Sequence, residues 1–157
     1  VYPGVWRHGD LVERTREGGI VVYGRSDATL NPGGVRIGTA EIYRPLEALS
    51  EVAEAVAVGK RVEGDQEIWL LVTLAAGAQL DEALTQRIRA AIRSGASPRH
   101  VPRRVIQVPQ LPRTRSGKAM ELAVARLVNG QSVPNIDVMA NPECVPLITE
   151  RLKELTD

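Results

Sequence analysis

The chain has 157 residues, of which 43% are hydrophobic and 25% charged, the ordinary composition of a soluble globular domain with a real core. A formal net charge of +1 argues against a generic polyanion binder, and no apolar run approaches the roughly 18–20 residues of a membrane span. Aromatics make up only 3% and Phe is absent, so the core must be aliphatic, built from Val, Leu, Ile and Ala.

The first residues, including Trp6-Arg7-His8-Gly9-Asp10-Leu11, carry no long periodicity. Arg16-Glu17-Gly18-Gly19 reads as a tight turn into a strand at Ile20–Tyr23, so two short strands are expected here. The stretch from Gly24 to Ile42 then holds one Pro, four Gly, two Arg, an Asp and an Asn. It cannot bury a core, but it can turn sharply and bring backbone N–H and guanidinium groups close to an anion. Thr39 is placed to cap a helix, with Glu41 in its first turn, and Ile42, Leu46 and Leu49 make one apolar face.

Val52–Gly59 and Ile68–Leu74 read as strands joined by a polar turn at Glu63-Gly64-Asp65. Leu80, Leu84, Ile88 and Ile92 recur every four residues and predict a helix over Asp81–Arg93, stopped by Ser94-Gly95 and Pro98. Arg104–Val108 is a further strand, and Pro109 and Pro112 bracket a loop. Met120, Ala123, Val124, Leu127 and Val128 predict a helix over Lys118–Asn129, ended by Gly130. Residues 131–146 read as an extended tail, and 146–156 add a short helix. The order predicts an α+β fold: a small central sheet of about three main strands with flanking helices, preceded by a short β-hairpin.

Charge is unevenly spread. Between Thr39 and Thr85 nine acids face three bases, whereas Arg87–Arg126 holds ten Lys or Arg and only Glu121 as an acid. That basic block reads either as a solvated face or as the site of a local anionic ligand. Cys144 stands alone, so no disulfide forms within the chain, which fits a reducing, cytoplasmic setting. The chain opens on Val1 rather than Met and reads as a piece of a longer one.

Two stretches carry chemistry. Gly24-Arg25-x-Asp27, then Gly34-x-Arg36, then Glu41-Ile42 resembles the hinge and following loop of adenylate-forming enzymes, the acyl-CoA synthetase superfamily. Pro112-Arg113-Thr114-Arg115-Ser116-Gly117-Lys118 resembles that family's lysine motif, Pro-x-x-x-x-Gly-Lys. It is not a P-loop, because the first Gly and the following Ser/Thr are missing. Trp6-Arg7-His8-Gly9-Asp10 is similar to the motif that closes the family's large N-terminal domain. Asn31–Arg44 and Ser97–Pro102 look like the branch of the family that activates acetoacetate.

The resemblance implies an acid–thiol ligase that uses ATP with Mg2+ and then CoA. Lys118 is then the catalytic lysine, and Asp10, Arg25 and Arg36 bind nucleotide. Asp27 is the hinge, and Gly33, Gly34 and Arg93 serve CoA. No metal ligand is assigned, and neither His8 nor His100 has a partner pattern for metal or triad work. Residues 1–23 end the N-terminal adenylation domain, 24–28 form the hinge, 29–130 the C-terminal lid and 131–157 a tail. The implied partner is the chain's own large domain, and a lysine acetyltransferase acting on Lys118 is a further one. Alone, the 157 residues are expected to be inactive, since the family's phosphate loop and acid pocket belong to the large domain. Within the family, an acetyl- or propionyl-CoA synthetase or a peptide-synthetase adenylation domain is the alternative. Outside it, a small RNA- or protein-binding α+β module is the rival, though few aromatics leave few stacking platforms for RNA.

Overall fold

The computed structural model describes residues 10–25 and 29–155. Asp27 and His8, singled out above, lie outside the described residues, and for Asp10 and Arg25 only the backbone is described.

The chain opens with an antiparallel hairpin of β1, Asp10–Arg14, and β2, Ile20–Arg25. Its turn is closed by Gly18 N–H to Thr15 O and Thr15 N–H to Gly19 O. Val12, Ile20, Val21 and Val22 are exposed, so apolar side chains of this hairpin have no cover within the described residues.

Beyond it lies a three-stranded sheet in the order β3-β4-β5: β3 is Val52–Val62, β4 Asp65–Leu74 and β5 Arg104–Gln107. β3 and β4 are antiparallel, and β5 runs parallel to β4. The parallel step needs a crossover, supplied by helix α2, Glu82–Gly95. Ile68 to Val72 of the central strand are all buried because both faces of the sheet are covered. The strands run about three residues further toward the turn than the apolar pattern suggests. Lys60, Arg61, Gln66 and Glu67 are polar, yet Glu63-Gly64 makes a two-residue turn that lets the ladder continue to Val62–Asp65.

One face of the sheet packs Ala57, Ile68, Leu70 and Val72 against Ile42, Leu46, Leu84, Ile88 and Ile92. Asp81 caps α2 by accepting from Leu84 N–H at 2.7 Å. The helix predicted around Ile42 is instead α1, Thr39–Tyr43, followed by a 3-10 stretch over Arg44–Ala48. Pro45 has no N–H to continue the α-helical ladder, so the chain tightens there while Ile42 and Leu46 still face the core. The N-cap is Gly38, with Thr39 already helical and buried.

The other face packs Val56, Val58, Trp69, Leu71 and Ile106 against α3, Glu121–Val128, and α4, Cys144–Lys153. Here the tail reading is corrected. Val133, Met139, Cys144, Ile148 and Leu152 are buried, so 131–155 is part of the core of this half. Pro146 sits in the first turn of α4, where its missing N–H costs nothing. α3 also starts later than predicted, because Ala119 pairs back with Arg113 and Met120 N–H bonds Pro112 O. Lys118 therefore lies on a hairpin, not in a helix.

Candidate active site

The lysine hairpin is built by short-range bonds. Gly117 N–H donates to Thr114 O at 2.8 Å, and Thr114 N–H to Lys118 O at 2.9 Å. Gly117 has φ 82°, the left-handed region a side chain resists, which is why Gly precedes the lysine. Lys118 N–H reaches Thr114 Oγ1 at 3.1 Å. The Arg113 guanidinium spans from Glu54 on β3 to the Gly117 carbonyl. On its outer side the hairpin bridges from Thr114 to Met139. The Lys118 loop is stitched on both sides, to Glu54 on one and to residues 139 and 140 on the other. Lys118 itself is exposed, and its ammonium has no partner among the described residues.

The glycine loop is built differently. Leu30 and Ile37, both buried, bond each other's backbone twice at 2.9 Å and pinch off residues 31–36. Gly33 and Gly34 form the exposed tip, with φ 57° and 76° and open space where a Cβ would stand. Asn31 N–H bonds Gln66 Oε1 at 2.6 Å, and Gly33 N–H bonds Asp65 Oδ1 at 2.8 Å. The N–H groups of Gln66 and Gly33 hold the Asp65 carboxyl below the usual carboxylate range. This anchor is thus fully present at neutral pH and is lost only as pH falls through that lowered value. Arg36 is exposed beside buried Ile37, without an ion-pair partner among the described residues.

Pro32 of this loop shares a groove of about 540 Å³ with Arg89, Arg93, Arg99 and Arg103. Arg89 donates to Arg103 O at 3.0 Å, and Arg103 sits 3.8 Å from Glu67, leaving most of the positive charge uncompensated. Sequence reasoning singled out Arg93 alone. Arg89 and Arg103 were visible only as members of the basic block, and Arg99 only within Ser97–Pro102 without a role of its own, because their convergence depends on the turn after α2.

The sites assigned to nucleotide and CoA are therefore brought together in part. Asp10 and Arg25 are cross-strand partners at the open end of the β1–β2 hairpin. Gly33 and Gly34 directly follow Pro32, which lines one groove with Arg93. Lys118 is elsewhere: its hairpin is tied to Glu54 near the start of β3, whereas the glycine loop is tied to Asp65 beyond the end of that strand. Eight residues of strand separate Glu54 from Val62, the partner of Asp65, or roughly 26 Å at the usual rise.

Near the middle, Tyr43 Oη donates to Glu121 Oε1 at 2.6 Å and accepts from Ala57 N–H at 3.0 Å, tying α1, β3 and α3 together. Burial, reinforced by the Glu121 charge, pushes the Tyr43 hydroxyl far up, so it stays a donor. His100, which showed no partner pattern for metal or triad work, links Ser97 Oγ at 2.8 Å to Glu41 Oε2 at 2.9 Å and so holds the turn after α2 to α1. Among the described residues no cluster of three or more His, Cys, Asp or Glu could hold a metal ion, and no helix is long and apolar enough to cross a membrane.

This arrangement, a three-stranded sheet with a protruding lysine hairpin at one end and a glycine loop at the other, is that of the C-terminal domain of an adenylate-forming enzyme. Residues 45–118 match the AMP-binding enzyme C-terminal domain, so this part of the chain is a domain of that family. Its relatives include acetoacetyl-CoA synthetases and a malonamoyl-CoA synthetase of Penicillium aethiopicum, 44% identical over 138 residues, which cover 85% of this chain and 19% of that protein. It is 56% identical over 154 residues to the acetoacetyl-coenzyme A synthetase of Rhizobium meliloti, covering 97% of this chain and 24% of that protein. It is 40% identical over 158 residues to the acetoacetyl-CoA synthetase of Rattus norvegicus, covering 99% of this chain and 23% of the relative. The solved acetoacetyl-CoA synthetase from Streptomyces lividans superposes with a TM-score of 0.84 at 41% identity, over 98% of this chain and 23% of that one. The chain thus spans about a quarter of the length of the relatives it matches. The RNA- or protein-binding module and the acetyl- or propionyl-CoA synthetase alternatives are not favoured by these relationships.

Proposed function

We propose that the chain is the mobile C-terminal part of an ATP-dependent acid–thiol ligase that joins acetoacetate to CoA through an acyl-adenylate. The observation that carries this reading is the separation of the two loops. A lysine hairpin and a glycine–arginine groove at opposite ends of one ribbon cannot serve one reaction centre at once, but they can serve it in turn if the domain rotates.

In the first step a carboxylate oxygen of the acid attacks the α-phosphorus of ATP and pyrophosphate leaves, with Mg2+ carried in by the nucleotide. Lys118 extends its ammonium between the carboxylate and the α-phosphate and stabilises the charge that grows there. Arg115 on the same hairpin adds positive potential, whereas the charge of Arg113 is paired with Glu54. Asp10 accepts both ribose hydroxyls, Arg25 contacts the ribose region, and Arg36 gives a forked cation to phosphate oxygens. The domain then turns about Asp27. In the second step the thiol of CoA attacks the acyl carbonyl and AMP leaves. Gly33 and Gly34 line the pantetheine channel, where missing side chains admit a slender chain, and Arg93 meets the CoA phosphates. The exposed apolar hairpin β1–β2 supports a domain boundary near residue 23, with its cover supplied by the large domain. Acetylation of the exposed Lys118 by a lysine acetyltransferase would silence the first step through loss of charge. The assigned compartment is cytoplasmic.

The test is direct. The full-length enzyme is expected to release AMP in the presence of ATP, CoA and acetoacetate, and far less with acetate or propionate. The 157-residue chain alone is expected to release none. Robust turnover by the isolated chain, or indifference of the full enzyme to the acid, sinks the proposal.

A second expectation separates the ends. Asp65→Ala removes the carboxylate that anchors Gly33. The KM for CoA is expected to rise in steady-state kinetics, with acid-dependent ATP–pyrophosphate exchange unchanged.

A further inference from the structure

We infer that Asn141 is a positioning residue for Lys118, and that the segment before α4 acts as an outer strand of the lysine hairpin. This rests on the reading of Lys118 as the lysine of the adenylation step.

Pro109 and Pro112 remove two N–H groups from the stretch between β5 and the hairpin, so that stretch cannot secure itself with a regular ladder. Asn141 replaces the ladder with one side chain. Its Oδ1 accepts from Arg113 N–H at 2.9 Å, and its Nδ2 donates to Leu111 O at 2.9 Å and to Gln110 Oε1 at 3.1 Å. Both amide hydrogens and a carbonyl lone pair are used, as a paired peptide unit would use them. Ala140 N–H bonds Arg113 O at 2.9 Å, and Thr114 bridges to Met139. Arg113 is thereby held at both backbone groups from residues 140 and 141.

The fixing of Arg113 matters because of what its side chain does. One end of the guanidinium is bound to Glu54 and the other to the carbonyl of Gly117, the residue directly before Lys118. Asn141 therefore sets Arg113, Arg113 sets the Gly117 peptide, and that peptide sets the direction in which Lys118 leaves the backbone. The ammonium has no partner of its own among the described residues, so the backbone alone aims it. A displacement of about 1 Å at a reacting group can cost ~10² in rate.

The experiment compares half-reactions in the full-length enzyme. Asn141→Ala is expected to lower acetoacetate-dependent ATP–pyrophosphate exchange by about 10- to 100-fold. Thioester formation from chemically prepared acyl-adenylate and CoA, which does not use Lys118, is expected to stay within about twofold of wild type. Asn141→Asp keeps the acceptor for Arg113 but loses both donors. It should fall between the two, and it provides a soluble variant if the alanine protein misfolds. Equal loss in both half-reactions, or unchanged exchange in both variants, overturns the inference. If the unaltered enzyme shows no acid-dependent exchange at all, the reading of the whole protein fails first, and this inference falls with it.

Discussion

Lys118→Ala in the full-length enzyme is expected to lower acetoacetate-dependent ATP–pyrophosphate exchange by ~10²–10³-fold, the usual cost of deleting one preorganised group that meets developing charge. Thioester formation from preformed acyl-adenylate should be untouched, because the proposed mechanism assigns that step to the glycine–arginine end of the domain. The loss cannot be ascribed to unfolding. The Lys118 side chain is exposed and unpartnered among the described residues, and such surface changes stay within about 0.5 kcal/mol. Lys118→Arg is a useful companion. It keeps the charge but replaces a compact ammonium by a planar fork, and it is not expected to restore the rate. Parallel loss in the two half-reactions would mean that Lys118 is not specific to one domain orientation.

The turns that carry Gly117, Gly33 and Gly34 were legible because their residue types are dictated locally. A left-handed turn demands Gly117 before the lysine, and an exposed tip between two buried anchors tolerates Gly33 and Gly34. The three-stranded sheet was legible from its aliphatic runs. What stayed hidden depended on distant partners. The helix expected over Lys118–Asn129 began too early because no local signal shows that Ala119 pairs back with Arg113. The strands β3 and β4 were cut short because their ends are polar, although Glu63-Gly64 was a turn signal strong enough to extend them. Arg89, Arg99 and Arg103 looked like any solvated basic face until the turn after α2 gathered them about one groove. Residues 131–146 lack periodicity, so their buried Val133 and Met139 could not be told from a loop.

That last correction carries the largest expected effect on stability. Ile148 is fully buried on α4 among Val56, Leu71, Leu111, Val124, Val128 and Leu152. Ile148→Ala removes three buried carbons and leaves a cavity lined by sheet and helix, a change that typically costs 2–5 kcal/mol, here about 3 kcal/mol. At about 2–4 °C per kcal/mol for a chain of this size, the melting midpoint should fall by roughly 6–12 °C. Leu147, its neighbour, is 42% exposed, and Leu147→Ala should move stability by no more than about 1 kcal/mol. Urea unfolding of the 157-residue chain reads both, with an unchanged denaturant slope showing that the native state lost stability without changing compactness. If both variants melt like the parent, 131–155 is a tail after all. If Ile148→Ala is the weaker one, α4 is a structural element, and its N-terminal neighbour Asn141 stands on a fixed base. The lysine hairpin is then aimed from a part of the sequence that carries no catalytic residue.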